Sequence, residues 1–373
     1  MNILAEDDRK KELTKLEENM SLVPDSKLYV WGCASTAQMI TDYIEANSAV
    51  KVTAYIVDDL YYKDEMYNNR KVLKSSQWEQ VAKNGDYVVM GFTNEERAKT
   101  AIATLKEGIN GLYFYFPYSA NAYGKCLSYK AYCEHEADFA KVYDMLEDQL
   151  SKDTMEAFLD GCINGRIESL NERKVTGQYF NELTKNYPVR CFVDCGAYIG
   201  DTIEEAKAFY GENLTKIVSF EPDERNIQLL KERVQKCNIK EEQLCLVTMG
   251  SWSKRDTLHF SSDNSSSSIS DEGDITIQVD SIDHVLEQVK KPIDYIKMDV
   301  EGSEKESLLG AAKTIQKHHP ILAVCVYHKP EDLYELTQTI VALAEGYPYK
   351  FYLRYYGPDL RELVLYALPE VDA

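Results

Sequence analysis

The sequence predicts an α/β protein in which a small parallel sheet is followed by a helical connector and a larger parallel sheet. The most informative segment is 192–201, FVDCGAYIGD, which has the pattern of a strand, a glycine turn and the start of a helix. A second strand, 216–220, ends on Glu221-Pro222-Asp223. Glycines let the backbone approach a ligand, and an acid at the tip of the next strand accepts ribose hydroxyls. These two motifs therefore predict a nucleoside site.

Residues 1–118 are predicted to form a small Rossmann-like α/β domain, because apolar strands alternate there with helical segments. The turn after the first strand, Gly32-Cys33-Ala34, keeps one glycine of the pattern G-x-G-x-x-G. Pyrophosphate needs close backbone approach, so the sequence favours a scaffold or docking domain over a dinucleotide site. The domain loosely resembles the nucleotide-sugar-binding Rossmann domains of sugar-modifying enzymes. Its predicted strands lie near 27–32, 52–59, 86–91 and 111–116.

Residues 119–187 are predicted to form a helical connector. Phe139, Val142, Leu146 and Leu150 recur at helical spacing, and strand-like runs are scarce in this part of the chain. We therefore expect helices that pack beside the second sheet.

Residues 188–373 are predicted to form a second α/β domain, with a seven-stranded Rossmann-like sheet whose last strand pairs with the sixth as a hairpin. Asp223 is placed to cap one helix, and Ser303 with Glu306 fits the S-x-x-E capping box of another. The serine-rich segment Ser261–Ser270 is equally consistent with a surface loop and with a lid. The predicted strands are 191–194, 216–220, 244–248, 295–299, 321–326, 350–354 and 363–367.

The predicted strand 295–299 and the residues just after it carry an unusual run of ionisable residues. Because side chains alternate across a sheet, Lys297, Asp299 and Glu301 face one way and the apolar residues between them face the other. Buried charges are costly when unpaired, so these groups are expected at the ligand-binding edge of the sheet. An ion pair between Lys297 and Glu301 is the structural alternative. His328, at the tip of the following strand, would lie beside them.

Four motifs, taken in this order, resemble the FkbM-type family of S-adenosylmethionine-dependent methyltransferases. The resemblance covers the chain from about Cys191 to Pro369. It implies a class I methyltransferase sheet, S-adenosyl-L-methionine as cofactor, and methyl transfer, and it leaves the substrate open. The motifs are DCGAYIGDT at 194–202, FEPD at 220–223, KMDVEGSE at 297–304 and YHKP at 327–330.

The resemblance also implies which residues bind the cofactor. The first turn would carry the methionine part, and Asp194 would bind its ammonium group directly or through water. Glu221 would accept both ribose hydroxyls with support from Asn226, while Trp252 would either stack on adenine or pack at the rim of the core. The predicted cofactor residues are Asp194, Gly196, Ala197, Tyr198, Gly200, Asp201, Thr202, Glu221, Pro222, Asp223, Asn226, Gly250 and Trp252.

Methyl transfer to a hydroxyl needs an aligned nucleophile and a group that removes its proton. The predicted catalytic residues are Asp299 and His328, as base and orienter in either order, with Glu301 in a positioning role. The same three residues could instead hold a divalent cation that polarises the oxygen, and the sequence leaves this open. The expected acceptor, which rests on the resemblance, is a hydroxyl of a sugar, a glycan or a related metabolite, as in polysaccharide biosynthesis.

The composition and the sequence pattern disfavour several classes of partner and location. The net charge of −20, from 42 Lys+Arg against 62 Asp+Glu, disfavours a nucleic-acid partner because phosphates would be repelled. The sequence shows no apolar run of membrane-spanning length and no signal-peptide pattern, which predicts a cytoplasmic protein. Nine cysteines without a CxxC pair indicate free thiols rather than a zinc site.

Two other functions remain compatible with the residues. One is a catalytically silent binding protein with the methyltransferase fold, which the full set of ionisable residues argues against. The other is a nucleotide-sugar-binding protein, or an oxidoreductase, acting through the N-terminal domain. Ala34 and Ala37 replace two glycines of the dinucleotide pattern there and argue against it. The oligomeric state is left open.

Overall fold

The computed structural model describes residues 8–63, 65–92, 94–114, 127–260, 275–357 and 360–370. The chain divides into two compact units. The first comprises Asn2–Glu134 with Phe158–Ile167, and the second comprises His135–Ala157 with Glu168–Ala373.

The first unit is built on a parallel sheet with helices on both faces. Its strands are β1 (Leu28–Trp31), β2 (Val52–Val57), β3 (Met66–Tyr67), β4 (Arg70–Lys74), β5 (Tyr87–Met90) and β6 (Asn110–Tyr113). Its helices are α1 (Asp8–Leu22), α2 (Ser35–Asn47), α3 (Ser75–Val81), α4 (Glu95–Ala103) and α5 (Tyr129–Glu134). The six strands lie in the order β3-β4-β2-β1-β5-β6, and only β3 runs antiparallel to its neighbour.

Alternation along β1 explains the two cores of this unit. Val30 packs with Leu13 and Ile40 on one face, while Tyr29 packs with Trp78 on the other. A central parallel strand is apolar on both faces for this reason. The predicted strands of residues 1–118 are all present, whereas β3, β4 and α3 were not anticipated.

The second unit contains the larger sheet. Its strands are β7 (Cys191–Cys195), β8 (Lys216–Phe220), β9 (Leu244–Val247), β10 (Gly250–Trp252), β11 (Asp256–Phe260), β12 (Ile275–Ser281), β13 (Tyr295–Met298), β14 (Ile321–Cys325), β15 (Lys350–Tyr355) and β16 (Leu363–Leu368). Its helices are α6 (Glu136–Met145), α7 (Gln149–Asn164, inside which the division between the units falls), α8 (Glu168–Asn171), α9 (Asp201–Tyr210), α10 (Glu224–Lys236), α11 (Ile282–Leu286), α12 (Glu304–Leu309), α13 (Ala312–His318) and α14 (Asp332–Leu343).

The seven-stranded sheet has the order β15-β16-β14-β13-β7-β8-β9. All neighbours are parallel except β16, which is antiparallel to both β14 and β15. β15 and β16 therefore form the predicted hairpin, and each of the seven strands lies within one residue of its predicted bounds. The predicted fold class, an α/β protein with a class I methyltransferase sheet, is confirmed.

A small sheet with the order β10-β12-β11 was not predicted. Asp256 and Thr257 of β11 are polar and exposed, so this strand lacks the apolar run that marks the buried strands. The segment Ser261–Ser270, interpreted as a loop or a lid, lies outside the described residues.

The two predicted helix caps have different outcomes. Asp223 accepts hydrogen bonds from the backbone N–H groups of Arg225 and Asn226, so it caps α10 as predicted. The capping box of Ser303 with Glu306 is wrong, because the Ser303 side chain makes no capping hydrogen bond. The first residue of α12, Glu304, instead accepts a hydrogen bond from the N–H of Val300, 2.9 Å away.

Among the described residues, none of the helices combines the length and the apolar composition that crossing a membrane requires. No disulfide bond joins the cysteines of the described part of the chain.

Candidate active site

A cavity of about 740 Å³ opens where β7, β8 and β13 end, within the second unit. The chain runs from β7 to β8 and β9 on one side and then returns to β13 on the other, so the strand order reverses at this point. Ligands of open parallel sheets bind at such a reversal, beyond the carboxyl ends of the strands. A volume of this size suits a ligand of several ring systems.

Gly196 lies in the turn that follows β7, and it allows this turn to pack closely against the chain at the end of β13. Its backbone has φ of 80°, and a Cβ atom there would lie 1.9 Å from the carbonyl oxygen of Asp299. Only glycine fits this approach. Gly200, with φ of 81°, precedes α9 and faces Leu230. The two glycines of the motif therefore serve the packing of the turn, and Gly196 also lines the cavity.

Asp194 lies behind the cavity wall and does not line it. Its carboxylate is 3.2 Å from the ammonium group of Lys297, and both side chains are buried. Burial raises the pKa of Asp194 to about 6 despite the opposing effect of Lys297. Lys297 also donates a hydrogen bond to the carbonyl oxygen of Gly196, 2.8 Å away. The alternative of an ion pair between Lys297 and Glu301 is wrong, because Lys297 pairs with Asp194.

Glu221 follows β8 and is held rigidly at the cavity wall. Its Oε2 accepts a hydrogen bond from the N–H of Tyr198 at 2.8 Å. Its Oε1 accepts from the N–H of Asp223 at 2.9 Å and from Nδ2 of Asn226 at 3.2 Å. The side chain is nearly buried and lines the cavity. A carboxylate fixed in this way can accept from two vicinal hydroxyls without further reorganisation.

The segment after β9 supplies another wall. Gly250 and Trp252 of β10 both line the cavity, with Ser251 between them. Gly310 packs so closely that a Cβ atom there would lie 1.9 Å from the carbonyl oxygen of Trp252. The position of Trp252 is therefore fixed by the chain around Gly310.

Asp299 lies just beyond β13, and the hydroxyl groups of two tyrosines lie close to its carboxylate. The hydroxyl of Tyr179 donates to its Oδ2 at 3.1 Å, and the hydroxyl of Tyr327 lies 3.5 Å from its Oδ1. Burial raises the pKa of Tyr179 and Tyr327, so both remain protonated donors. All three residues line the cavity.

His328 is fully buried beneath Asp299. Its Nε2 lies 3.6 Å from Asp299 and 3.5 Å from Glu301, and its Nδ1 lies 3.0 Å from Glu304. Burial alone would lower the pKa of His328, but the surrounding carboxylates, with Glu304 first, outweigh it and raise the pKa to about 10. The imidazole is therefore protonated near neutral pH. Asp332, also buried, has a pKa raised by burial and by Glu304.

Asp299, Glu304 and His328 also approach one another within the spacing of cation ligands. Carboxylates and an imidazole are suitable donors for a divalent cation. The cation ligands predicted from the sequence included Glu301 in place of Glu304. Glu301 is largely exposed, whereas Glu304 is buried.

The structure brings most of the predicted residues to the cavity. Asp194, Ala197, Gly200 and His328 lie behind its wall. The predicted residues that line the cavity are Gly196, Tyr198, Asp201, Thr202, Glu221, Pro222, Asp223, Asn226, Gly250, Trp252, Asp299 and Glu301.

Sequence reasoning missed lining residues that come from distant parts of the chain. Gln178 and Glu362 are joined by a hydrogen bond of 2.6 Å between Nε2 and Oε2. Non-glycine residues rarely adopt a positive φ, and those that do are often found at functional sites. The backbone angles of the structure therefore mark site residues that the sequence alone does not. The cavity residues with positive φ are Tyr179, Tyr198, Glu301 and Glu362.

A second cleft lies in the first unit, where β1, β2 and β5 end. It is lined by the turn at Gly32 together with Asp58 and Arg97. Ala37 occupies the position of the third glycine, and its Cβ would be 2.9 Å from a Cβ added at Gly91. This position therefore serves helix–strand packing.

The second unit has the sheet of the class I methyltransferase fold, and the cavity lies where the strand order of that sheet reverses. Residues 194–351 match a sequence model described as the methyltransferase FkbM domain, which confirms the predicted resemblance for this part of the chain. No curated protein matches the chain.

Among solved structures, the methyltransferase FkbM from Methylobacillus flagellatus KT is similar with a TM-score of 0.67 and 19% identity, over 97% of this chain and 100% of that chain. This similarity shows the fold. The fibrillarin of Aeropyrum pernix, solved with natively bound S-adenosyl-L-methionine, has a TM-score of 0.34 and 11% identity, over 51% of this chain and 71% of that chain. A likeness that weak supports no further inference.

Proposed function

We propose that the protein is a cytoplasmic S-adenosyl-L-methionine-dependent O-methyltransferase whose acceptor is a hydroxyl of a sugar, a glycan or a related metabolite. The observation that carries this proposal is one cavity that holds both Glu221, at the end of β8, and Asp299, at the end of β13. The first can hold a ribose and the second can remove a proton.

The residues present fit the cofactor. Glu221 offers two fixed carboxylate oxygens, and Trp252 offers an aromatic face in the same cavity. Asp201 and Thr202, at the start of α9, line the cavity beside the first turn. The buried Asp194 acts through Lys297, which holds the turn at Gly196 in place. When bound, the cofactor supplies a methyl group on a sulfonium, which is an electrophile.

Asp299 is the base in this proposal. His328 has a pKa of about 10 and is protonated near neutral pH, so it cannot accept the proton of the acceptor. Asp299 lines the cavity, its Oδ2 accepts a hydrogen bond from Tyr179, and its Oδ1 lies 3.6 Å from the imidazole of His328. The acceptor hydroxyl passes its proton to Asp299 late in the reaction, when the oxygen has become acidic. Glu301 helps to keep His328 protonated.

Two alternatives are separated by simple measurements. If a divalent cation bound near Asp299 polarises the acceptor, then a chelator abolishes turnover and added Mg²⁺ or Mn²⁺ restores it. If the protein is a silent binding protein with this fold, then S-adenosyl-L-methionine binds but no acceptor yields S-adenosylhomocysteine.

The first test is calorimetric titration with S-adenosyl-L-methionine. We expect micromolar affinity, about −8 kcal/mol, for the native protein. Glu221→Ala should lose most of it, whereas Glu232→Gln, an exposed residue of α10 outside the cavity lining, should keep it. Absence of binding to a folded native protein would overturn the proposed function. An NAD titration of the same protein tests the rival site in the first unit.

A further inference from the structure

The cavity is strongly acidic. Among the described residues that line it, the only cationic side chain is Lys297, and that ammonium group is already paired with Asp194. The lining carboxylates are Asp201, Glu221, Asp223, Asp299, Glu301 and Glu362.

Three of these carboxylates lie away from Glu221, the residue proposed to bind the ribose of the cofactor. Asp299 and Glu301 follow β13, and Glu362 precedes β16, whereas Glu221 follows β8 on the other side of β7 in the sheet. From the positions of these strands we assign Asp299, Glu301 and Glu362 to the end of the cavity that would hold the methyl acceptor, here called the acceptor end. The cofactor end contains Glu221.

Asp299 and Glu362 are joined through two other residues of the lining. Gln178 donates from Nε2 to Glu362 Oε2 at 2.6 Å, and the same nitrogen lies 3.1 Å from the hydroxyl of Tyr179. That hydroxyl donates to Asp299 at 3.1 Å. Glu362 is therefore connected to Asp299 through the hydrogen bonds of Gln178 and Tyr179.

The buried cation nearby does not cancel these charges. His328 contributes at most one positive charge, and the buried carboxylate of Glu304 lies 3.0 Å from its Nδ1. Three carboxylates, those of Asp299, Glu301 and Glu304, surround this one ring, and Glu362 adds to the excess of negative charge. A low-dielectric cleft strengthens the effect of such an excess on a ligand.

We infer that the acceptor carries an amino group that is protonated at neutral pH, near the hydroxyl that is methylated, and that Glu362 is its principal partner. This inference rests on the proposed function. A hydroxyl-bearing amine gains an ammonium–carboxylate contact at Glu362, while Asp299 removes the proton of the hydroxyl. Phosphorylated, nucleotide-activated and uronic acceptors are repelled by the same carboxylates.

The test compares three glycosides of one hexose, which differ only in bearing a hydroxyl, an amino group or a phosphate at one carbon. Their binding to the full-length protein, saturated with S-adenosylhomocysteine, is measured by ligand-observed NMR. We expect the amino glycoside to bind about tenfold more tightly than the neutral one, equivalent to about 1.4 kcal/mol. The phosphate should bind most weakly, and added salt should reduce the differences.

Glu362→Gln keeps the shape of the side chain and removes its charge. We expect this variant to lose most of the preference for the amine, while Glu232→Gln, with the same charge change on an exposed face of α10, keeps it. Glu301→Gln is a second test, should Glu362→Gln fail to fold. Equal affinities, tighter binding of the phosphate, or no binding of the amine would overturn the inference. Two further measurements distinguish failure of this inference from failure of the proposed function. Loss of cofactor binding, or cofactor binding without S-adenosylhomocysteine formation from any of the three glycosides, indicates failure of the proposed function.

Discussion

The ammonium group of Lys297 lies 3.2 Å from the Asp194 carboxylate, and this buried pair joins the two central strands β13 and β7. Lys297 also donates to the carbonyl oxygen of Gly196 at 2.8 Å. The side chain of Lys297 thus connects β13, which ends just before Asp299, to the glycine turn that follows β7. A buried charge that loses its partner is expensive, so the pair determines whether this edge of the sheet keeps its shape.

Lys297→Met should therefore destabilise the protein strongly. We expect a loss of about 3–5 kcal/mol in the free energy of unfolding, because Asp194 would remain buried without its cation. The matched control is Lys305→Met, whose exposed partner Glu335 lies 2.9 Å away. Exposed pairs contribute about 0–1 kcal/mol, so this change should be small. Chemical denaturation of both variants provides the comparison, and equal losses would contradict the role given to the buried pair.

Gly196→Ala should damage both stability and cofactor binding. The new Cβ would meet the carbonyl oxygen of Asp299 at 1.9 Å, so either the turn or the end of β13 must move. Gly211 has a positive φ of 58° but no atom within 4 Å of an added Cβ. Gly211→Ala therefore isolates the conformational cost, about 1 kcal/mol. Denaturation and S-adenosyl-L-methionine titration of both variants would show whether close approach, rather than φ, makes Gly196 necessary.

The protonated state of His328 predicts a pH dependence of stability. Glu304, Asp299 and Glu301 face the imidazole, with Asp332 close by, and its pKa of about 10 lies above the unfolded value near 6.5. The folded state therefore keeps a proton that the unfolded chain releases. Its contribution is fully present below about pH 6.5 and is lost as the pH rises towards 10.

The free energy of unfolding should accordingly fall between about pH 6.5 and 9 in the native protein. In His328→Gln the fall should be shallower, because the titrating group is absent. Denaturation at several pH values measures both slopes. Parallel slopes would mean that His328 is not protonated in the folded state.

The sequence was sufficient to predict the sheet because its buried strands are short apolar runs separated by helical segments. β7, β13 and β14 are buried along their whole length, and such runs have few alternative structures. Glu221 could be located for the same reason, since it follows β8, another short and largely buried apolar strand. The unexpected β11 carries no apolar run, and local pattern could not identify it.

The less predictable part of the site depends on contacts between distant residues. Tyr179 reaches Asp299 across 120 positions of the chain, and Gln178 reaches Glu362 across 184. The spacing of apolar and polar residues along the sequence does not indicate which distant residues will be in contact. Glu304 was named only as the last residue of the motif at 297–304, yet its buried carboxylate faces His328. The cost of burying that charge became evident only with the three-dimensional packing.

Asp299→Asn should separate catalysis from cofactor binding. The amide keeps the shape of the carboxylate and can still accept the hydrogen bond from Tyr179, but it cannot take a proton at neutral pH. Loss of a general base typically lowers kcat by about 10²–10⁴-fold, whereas the affinity for S-adenosyl-L-methionine should change little. Tyr327→Phe, which removes only the hydroxyl 3.5 Å from Asp299, is the matched control and should have a much smaller effect. The measurements are the rate of S-adenosylhomocysteine formation with an amino-glycoside acceptor and the cofactor affinity of each variant. An Asp299→Asn enzyme with native turnover would exclude Asp299 as the base.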